Sequence, residues 1–223
     1  MGLSKKAKWA VRIISILWLA FLYLRLKNPP FNFLVLNTFL ALIPIELSFH
    51  LGVKKPKNSI LFWILFIIWM LFYPNTPYLL TDLFHLSLLN PYGTNGLLRL
   101  DNQMWLNFTL LLVSALFTTI IGMWGVKTIS RAIAVKLHLP TLLGSNLVVL
   151  LITLLSSTGI FIGRFLRIHT IYLFLTPEQF INPLLNMWNR STIIFIILLT
   201  VVQLVFYYTL ELIVKSDDTL NNE

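Results

Sequence analysis

The sequence predicts an all-α fold, a polytopic transmembrane helical bundle, and three observations carry this prediction. Hydrophobic residues make up 57% of the 223 residues and charged residues only 11%, whereas soluble domains usually carry about 25% charged residues. The mean hydropathy is +0.82, and apolar runs of roughly 18 or more residues, enough to cross hydrocarbon as a helix, recur along the chain. Residues 60–72 are apolar without alternation, unlike the strands of a membrane barrel.

The apolar residues divide into six segments, which we interpret as about six membrane spans. The loops between them are too short for a soluble domain, so residues 1–223 are predicted to form a single integral membrane domain. The segments cover about residues 9–26, 31–51, 60–73, 104–126, 142–165 and 191–214.

The first two segments follow a basic N-terminus. Lysines before the first apolar run resemble a signal peptide, but no small-residue cleavage site follows, so we interpret the run as an uncleaved first span ended by Pro29 and Pro30. The second span carries Glu46, and a carboxylate inside a membrane is a candidate functional group. The alternative is a structural pair with a nearby lysine, or a protonated neutral acid.

The third segment runs into two closely spaced prolines, Pro74 and Pro77. A residue that precedes proline is disfavoured in the α region, so Tyr73 and Thr76 are predicted to leave it and break the span. Thr76 is then expected to cap a short helix that starts at Pro77 and runs to about Asn90.

The later segments include two stretches predicted to lie along the membrane surface. Residues 127–139 place three basic side chains among apolar ones, which is typical of a surface helix. Residues 166–190, the longest connection, are rich in aromatic and aliphatic residues and are predicted to lie in the interface.

The basic residues orient the spans. Eleven lysines and arginines fall on the side of the N-terminus and six on the opposite side. The positive-inside rule therefore predicts a cell-membrane protein with both termini in the cytoplasm. The net charge of +9 is better explained by loops that meet anionic lipid headgroups than by nucleic acid, for which we predict no role. The absence of cysteine excludes disulfides, thiolate catalysis and cysteine metal sites.

One face of the short helix after the prolines is polar. Tyr78, Thr81, Asp82 and His85 are spaced at i, i+3, i+4 and i+7, which is one side of a helix. In a membrane-associated helix such a stripe should face protein or a water-filled cavity. The alternative is a plain interfacial helix whose polar side faces water.

A second cluster lies at the end of the fifth segment. Gly159 and Gly163 form a small-residue pair that lets a neighbouring helix approach closely. Arg164 and Arg167 are about one turn apart, so they could converge on one carboxylate or phosphate, or instead extend to lipid headgroups. Because the third and fifth spans run in the same direction, Asp82 is predicted to lie within direct or one-water reach of Arg164 or Arg167.

The motif PNTPYLLTDLFHL at residues 74–86, with GRFLR at residues 163–167, resembles the bacterial membrane-protein family called domain of unknown function 1361. The resemblance covers most of the chain. It implies an integral membrane protein and supplies no activity. It carries over Pro74, Asn75, Pro77, Tyr78, Thr81, Asp82, His85, Gly163, Arg164 and Arg167.

Three functions remain open from the sequence. The favoured one is a transporter or binder of a small anionic or lipid ligand; the others are an intramembrane enzyme with a lipid-linked substrate and a structural accessory subunit. In the enzyme, Asp82 or His85 would be the general base. We predict no cofactor and no metal site, because one Asp and one His are too few ligands. The candidate ligand-binding residues are Asn75, Tyr78, Thr81, Asp82, His85, Arg164 and Arg167.

Overall fold

The computed structural model describes residues 3–167 and 177–220. Across these two ranges, extended pairing is confined to isolated β-bridges within residues 52–55 and 92–98, so the all-α prediction is confirmed. A 3₁₀ helix at Leu83–Leu89 and a π-helical turn at Ile162–Leu166 extend two of the α-helices. The helices are α1 (Lys5–Arg25), α2 (Phe33–Ser48), α3 (Ser59–Phe72), α4 (Asn75–Asp82), α5 (Asn102–Lys136), α6 (Thr141–Phe161), α7 (Pro177–Asn186) and α8 (Arg190–Leu220).

Five helical segments in the described ranges are long and apolar enough to cross a membrane. Helix α2 is also apolar but has only 16 residues, about 24 Å at 1.5 Å per residue. All six predicted segments are therefore helical, and five of them reach spanning length. The third does so only together with α4 and the 3₁₀ helix, because α3 itself has 14 residues. The interfacial connection predicted at residues 166–190 includes residues 168–176, which lie outside the described residues. The five segments are Lys5–Arg25, Ser59–Leu89, Asn102–Lys136, Leu142–Leu166 and Arg190–Lys215.

The join between α3 and α4 is gentler than the sequence predicts. Tyr73 keeps helical angles (φ −55°, ψ −39°), and so does Pro74 (φ −52°, ψ −27°). Helix α4 begins at Asn75, and Thr76 lies inside it instead of capping it. The prediction that Tyr73 and Thr76 leave the α region is therefore wrong, although the helix is interrupted at the predicted place.

Local donors replace the backbone hydrogen bonds that are lost around Pro77. Pro77 has no N–H for the Tyr73 carbonyl; that oxygen instead accepts from the Thr76 backbone N–H (2.9 Å) and from Thr76 Oγ1 (3.0 Å). The Asn75 amide donates to the Phe72 carbonyl at 2.9 Å. Since the Phe72 and Tyr73 carbonyls find new donors, apolar surroundings do not force the chain to unwind at Pro77.

Helix α5 continues without interruption through the stretch predicted to form a separate surface helix. Ile129, Ala132 and Ala134 are fully buried, and Lys127 forms an ion pair with Glu211 of α8 at 2.6 Å. The prediction for residues 127–139 is wrong because tertiary packing buries the apolar side of this stretch against the bundle, and a neighbouring carboxylate neutralises its first lysine.

The bundle has two ends, which we name after their buried or paired carboxylates. The Asp82 end holds the C-termini of α4 and α6 and the N-terminus of α2, joined through the Asp82 side chain. The Glu46 end holds the C-terminus of α2 and the N-terminus of α6. There, Arg12 of α1 forms a two-point ion pair with Glu46 (2.9 and 2.6 Å) and His50 approaches it at 3.1 Å, so the partner of Glu46 is an arginine and not a lysine.

Candidate functional site

The close approach of α4 and α6 positions the site. A Cβ atom on Gly159 would lie 2.9 Å from Pro74 Cγ, and one on Gly163 would lie 3.4 Å from Tyr78 Cε2. The two contacts are about one helical turn apart along each chain segment, so consecutive turns from Pro74 to Tyr78 pack on the two glycines. The predicted role of the glycine pair is confirmed, and it places the next residue, Arg164, against the polar face of α4.

The Asp82 side chain has no solvent exposure. Its carboxylate accepts from Arg164 Nη2 at 2.5 Å and from Asn37 Nδ2 of α2 at 2.8 Å. The predicted proximity of Asp82 to an arginine of the second cluster is therefore confirmed, for Arg164. A charged acceptor that is removed from water needs such donors, since an unpaired buried carboxylate is very costly.

Several contacts fix Arg164. Its Nε and Nη2 donate to Thr81 Oγ1 at 3.1 and 2.6 Å, and Thr81 Oγ1 in turn donates to the Tyr78 carbonyl at 2.7 Å. The guanidinium lies over the Tyr78 ring, 4.2 Å from its centroid, a favourable cation–π position. Three residues of the predicted polar face, Tyr78, Thr81 and Asp82, thus bind one side chain.

His85 lies beside this pair with a defined hydrogen-bonding role. Its Nδ1 is 3.1 Å from the Asp82 carbonyl oxygen and 3.8 Å from Asp82 Oδ1. A carbonyl oxygen only accepts, so Nδ1 is the donor. The ring packs on Phe33 of α2 at 4.3 Å between centroids. A neutral His85 therefore keeps an unprotonated Nε2.

Arg167 does not join Asp82. The π-helical turn ends there, and Arg167 takes a left-handed conformation (φ +53°) that redirects the chain. For this reason the two arginines do not converge on the Asp82 carboxylate. The Arg167 side chain is exposed, and no hydrogen bond or ion pair joins it to a side chain within residues 3–140, 142–167 or 181–215.

These side chains enclose a cavity of about 830 Å³, which we call the Asp82 cavity. Its polar part consists of the Asp82–Arg164 pair with its neighbours. Its rim is apolar and exposed, at Phe84 (82%), Leu88 (58%) and Phe165 (57%). The cavity brings together six of the seven candidate residues, Tyr78, Thr81, Asp82, His85, Arg164 and Arg167.

Asn75 is the candidate that does not line the cavity, because its amide bonds the Phe72 carbonyl instead. Sequence reasoning missed Asn37 and Phe33, which α2 contributes to the site. Asn37 carries the only amide side chain in α2. An amide side chain in a mainly apolar helix is a signal that could have identified it.

The family model for proteins of unknown function (DUF1361) matches residues 36–206. This chain belongs to the DUF1361 family. The match includes every residue of the Asp82 pair and its partners, from Asn37 to Arg167, and it supplies no activity for DUF1361 proteins. A search of curated proteins finds no match, and a search of solved structures finds none.

Proposed function

We propose that this DUF1361 protein binds an anionic, lipid-like ligand in the Asp82 cavity, as a transporter or a binding protein. The observation that carries the proposal is Arg167, a cation that lines the cavity and forms no ion pair with a side chain within residues 3–140, 142–167 or 181–215. Beside it, Asp82 and Arg164 neutralise each other at 2.5 Å. With a neutral His85, the cavity therefore has a net charge of +1 from these groups.

An incoming anion would meet donors on one side of the cavity. Arg167 would form the main ion pair, and Arg164, whose side chain is 20% exposed, keeps N–H groups near it. Guanidinium groups suit the planar two-point binding of carboxylate or phosphate. Asp82 repels the anion only weakly, because Arg164 and Asn37 already bind its oxygens.

The rim of the cavity favours a ligand that also carries hydrocarbon. Phe84, Leu88 and Phe165 are large, exposed and apolar, and they stand next to the charged groups. A volume of about 830 Å³ lies within the roughly 300–1,000 Å³ typical of small-molecule sites. A single-chain amphiphile, with its anionic head on the arginines and its chain over the rim, satisfies both parts.

The proposal includes an orientation in the cell membrane. Five long apolar helices and the excess of basic residues at the Glu46 end support a multi-pass protein with both termini in the cytoplasm. The Asp82 cavity then opens at the outer interface, where lipid-derived anions of the outer leaflet have access to it.

Arg167→Gln tests the proposal, with Arg25→Gln as the matched control, since Arg25 is an exposed arginine at the same end outside the cavity. Lysophosphatidylglycerol binding to the purified full chain in neutral detergent would be measured by tryptophan fluorescence, with lysophosphatidylcholine as the neutral probe. We expect Arg167→Gln to weaken binding roughly tenfold or more, since a charge-assisted bond contributes about 1.5–3 kcal/mol, and Arg25→Gln to leave it unchanged. Equal effects of the two variants, or no preference for the anionic probe, would refute the proposal.

His85 favours a second candidate, an enzyme that acts on a lipid-linked substrate. Its Nε2 can accept a proton, because Nδ1 donates to the Asp82 carbonyl, and neutral imidazole is an effective general base near neutral pH. Asp82 is a poorer base because Asn37 and Arg164 already donate hydrogen bonds to its carboxylate oxygens. Mass spectrometry of membrane lipids incubated with wild type or His85→Gln separates the readings: a product formed only by wild type indicates the enzyme.

A further inference from the structure

A second cavity lies at the Glu46 end, between α5, α6 and α8, and has a volume of about 260 Å³. We call it the Glu211 cavity. It shares no lining residue with the Asp82 cavity. The residues that matter for its chemistry are Lys127, Arg131, Asn146, Tyr208, Glu211 and Lys215.

One carboxylate faces three cations in the Glu211 cavity. Glu211 pairs with Lys127 at 2.6 Å and with Lys215 at 3.7 Å. Arg131 is exposed, and no hydrogen bond or ion pair joins it to a side chain within residues 3–140, 142–167 or 181–215. These four groups leave a net charge of +2, so the cavity holds more positive than negative charge around the close Lys127–Glu211 pair.

The neighbouring groups are donors. Asn146 and Tyr208 line the cavity with an amide and a hydroxyl, both able to donate to an oxyanion. The first turn of α6 also lines it, at Leu142, and the N-cap residue Pro140 supplies no side-chain bond to that turn. The positive end of the α6 dipole therefore adds to the field of the cations.

Size and rim restrict what can enter. At about 260 Å³ the cavity is below the roughly 300–1,000 Å³ of sites that enclose a drug-sized molecule. Leu142 and Leu212 stand at its edge and are each 70% exposed. A compact anionic group fits inside, and any hydrocarbon attached to it would lie outside along these leucines.

We propose that the Glu211 cavity binds a phosphate group, either that of an anionic phospholipid headgroup or free phosphate. Arg131 and Lys215 make the ion pairs, Asn146 and Tyr208 donate, and Lys127 keeps Glu211 neutralised so that it does not repel the ligand. Basic pockets between membrane helices are suited to such headgroups. This site is independent of the function proposed for the Asp82 cavity.

The double variant Arg131→Gln/Lys215→Gln tests the site, and Lys5→Gln/Lys6→Gln is the matched control. The control removes two exposed charges from the same end but outside the cavity. Native mass spectrometry of the full chain would count retained dioleoylphosphatidylglycerol against dioleoylphosphatidylcholine. A second arm would titrate inorganic phosphate and follow the melting temperature.

We expect the cavity variant to weaken phosphatidylglycerol binding roughly fivefold for each charge removed, the contribution of one basic side chain near an anionic surface. The control should change it by less than twofold. Stabilisation of wild type by inorganic phosphate, lost in the cavity variant, assigns free phosphate as a sufficient ligand; an effect of the lipid alone assigns the headgroup. Equal losses of binding in the two double variants would indicate a diffuse effect of surface charge and would overturn the site. The site would also be overturned if the wild type neither preferred phosphatidylglycerol to phosphatidylcholine nor was stabilised by inorganic phosphate. Arg167→Gln, which removes the Asp82-cavity cation, should leave this binding intact, so failure of one site does not entail failure of the other.

Discussion

The Asp82 carboxylate of α4 is fully buried, and its stability depends on donors that two other helices bring to it. Asn37 comes from α2, Arg164 from the end of α6, and the carboxylate itself from α4. Removal of one partner of such a group costs more than the pair contributes, because the other charge stays in a poorly hydrated position. This asymmetry makes Asp82 the most informative residue for mutation.

Asp82→Ala should lower the free energy of unfolding by about 3 kcal/mol, the lower end of the range for broken buried pairs, because Arg164 retains some solvent contact. Asp82→Asn should cost less, since an amide oxygen still accepts one of the two hydrogen bonds. Thermal or denaturant unfolding in detergent, followed by tryptophan fluorescence, measures both. In the double variant Asp82→Ala/Arg164→Ala, the loss should be smaller than the sum of the single losses. Strict additivity would contradict a direct pair.

Substitutions of Asp82 also distinguish a structural role of this residue from a role in proton transfer. If Asp82 only holds helices together, Asp82→Asn should retain ligand binding in proportion to its retained stability. A role in proton transfer would make Asp82→Asn as damaging to activity as Asp82→Ala while the protein remains folded.

At the scale of elements, α4 is held in a groove of small residues. Gly159 of α6 and Gly163 of the π-helical turn line one side of this groove. Gly122 of α5 lines the other, and a Cβ atom added there would lie 2.7 Å from Thr76 Oγ1. Thr76 cannot rotate away without losing a hydrogen bond, because its hydroxyl donates to the Tyr73 carbonyl, which Pro77 leaves without a backbone donor. The helix join and the close packing of α4 therefore depend on the same side chain.

Gly122→Ala should destabilise the protein by about 1 kcal/mol. Overpacking costs about 1–3 kcal/mol, and the better helix propensity of alanine returns up to about 1 kcal/mol. Thr76→Ala removes Oγ1 at 2.7 Å and Cγ2 at 3.2 Å but keeps Cβ at 3.0 Å, so Gly122→Ala should cost clearly less in that background. Unfolding measurements on the four variants of this cycle test the idea. The same loss of stability in both backgrounds would show that the Thr76 side chain does not restrict a Cβ atom at position 122.

At the scale of the whole molecule, charge distribution and packing are consistent with each other. The Glu46 end carries most of the basic residues, and carboxylates neutralise some of them, as in Arg12–Glu46 and Lys127–Glu211. The Asp82 end carries fewer basic residues and the larger cavity. This asymmetry is the basis for the proposed orientation.

Reporter fusions after residues 57, 95, 136 and 180 should report cytoplasm, outside, cytoplasm and outside. The physical reason is the retention of positively charged loops on the cytoplasmic side. Alkaline phosphatase and green fluorescent protein, active on opposite sides, give complementary readouts. A cytoplasmic signal after residue 95 would place the Asp82 cavity on the inner face and exclude outer-leaflet ligands.

The sequence by itself determined the fold class, the helical segments and most of the site. Continuous apolar runs permit only helices in lipid, so composition and length were sufficient for the architecture. Helical periodicity placed Tyr78, Thr81, Asp82 and His85 on one face, and the shared direction of two spans predicted the meeting of Asp82 with Arg164. These inferences succeed because they depend on local geometry and on a simple order of spans.

Tertiary structure alone decided three further features. Helix α5 runs through its basic stretch because Glu211, 84 positions after Lys127 in the chain, neutralises that lysine. Thr76 lies inside α4 because Gly122 leaves space for it. Asn37 belongs to the site because α2 packs beside α4. Each depends on a partner distant in sequence, and periodicity within one segment contains no information about which distant side chain will supply the missing charge, space or donor.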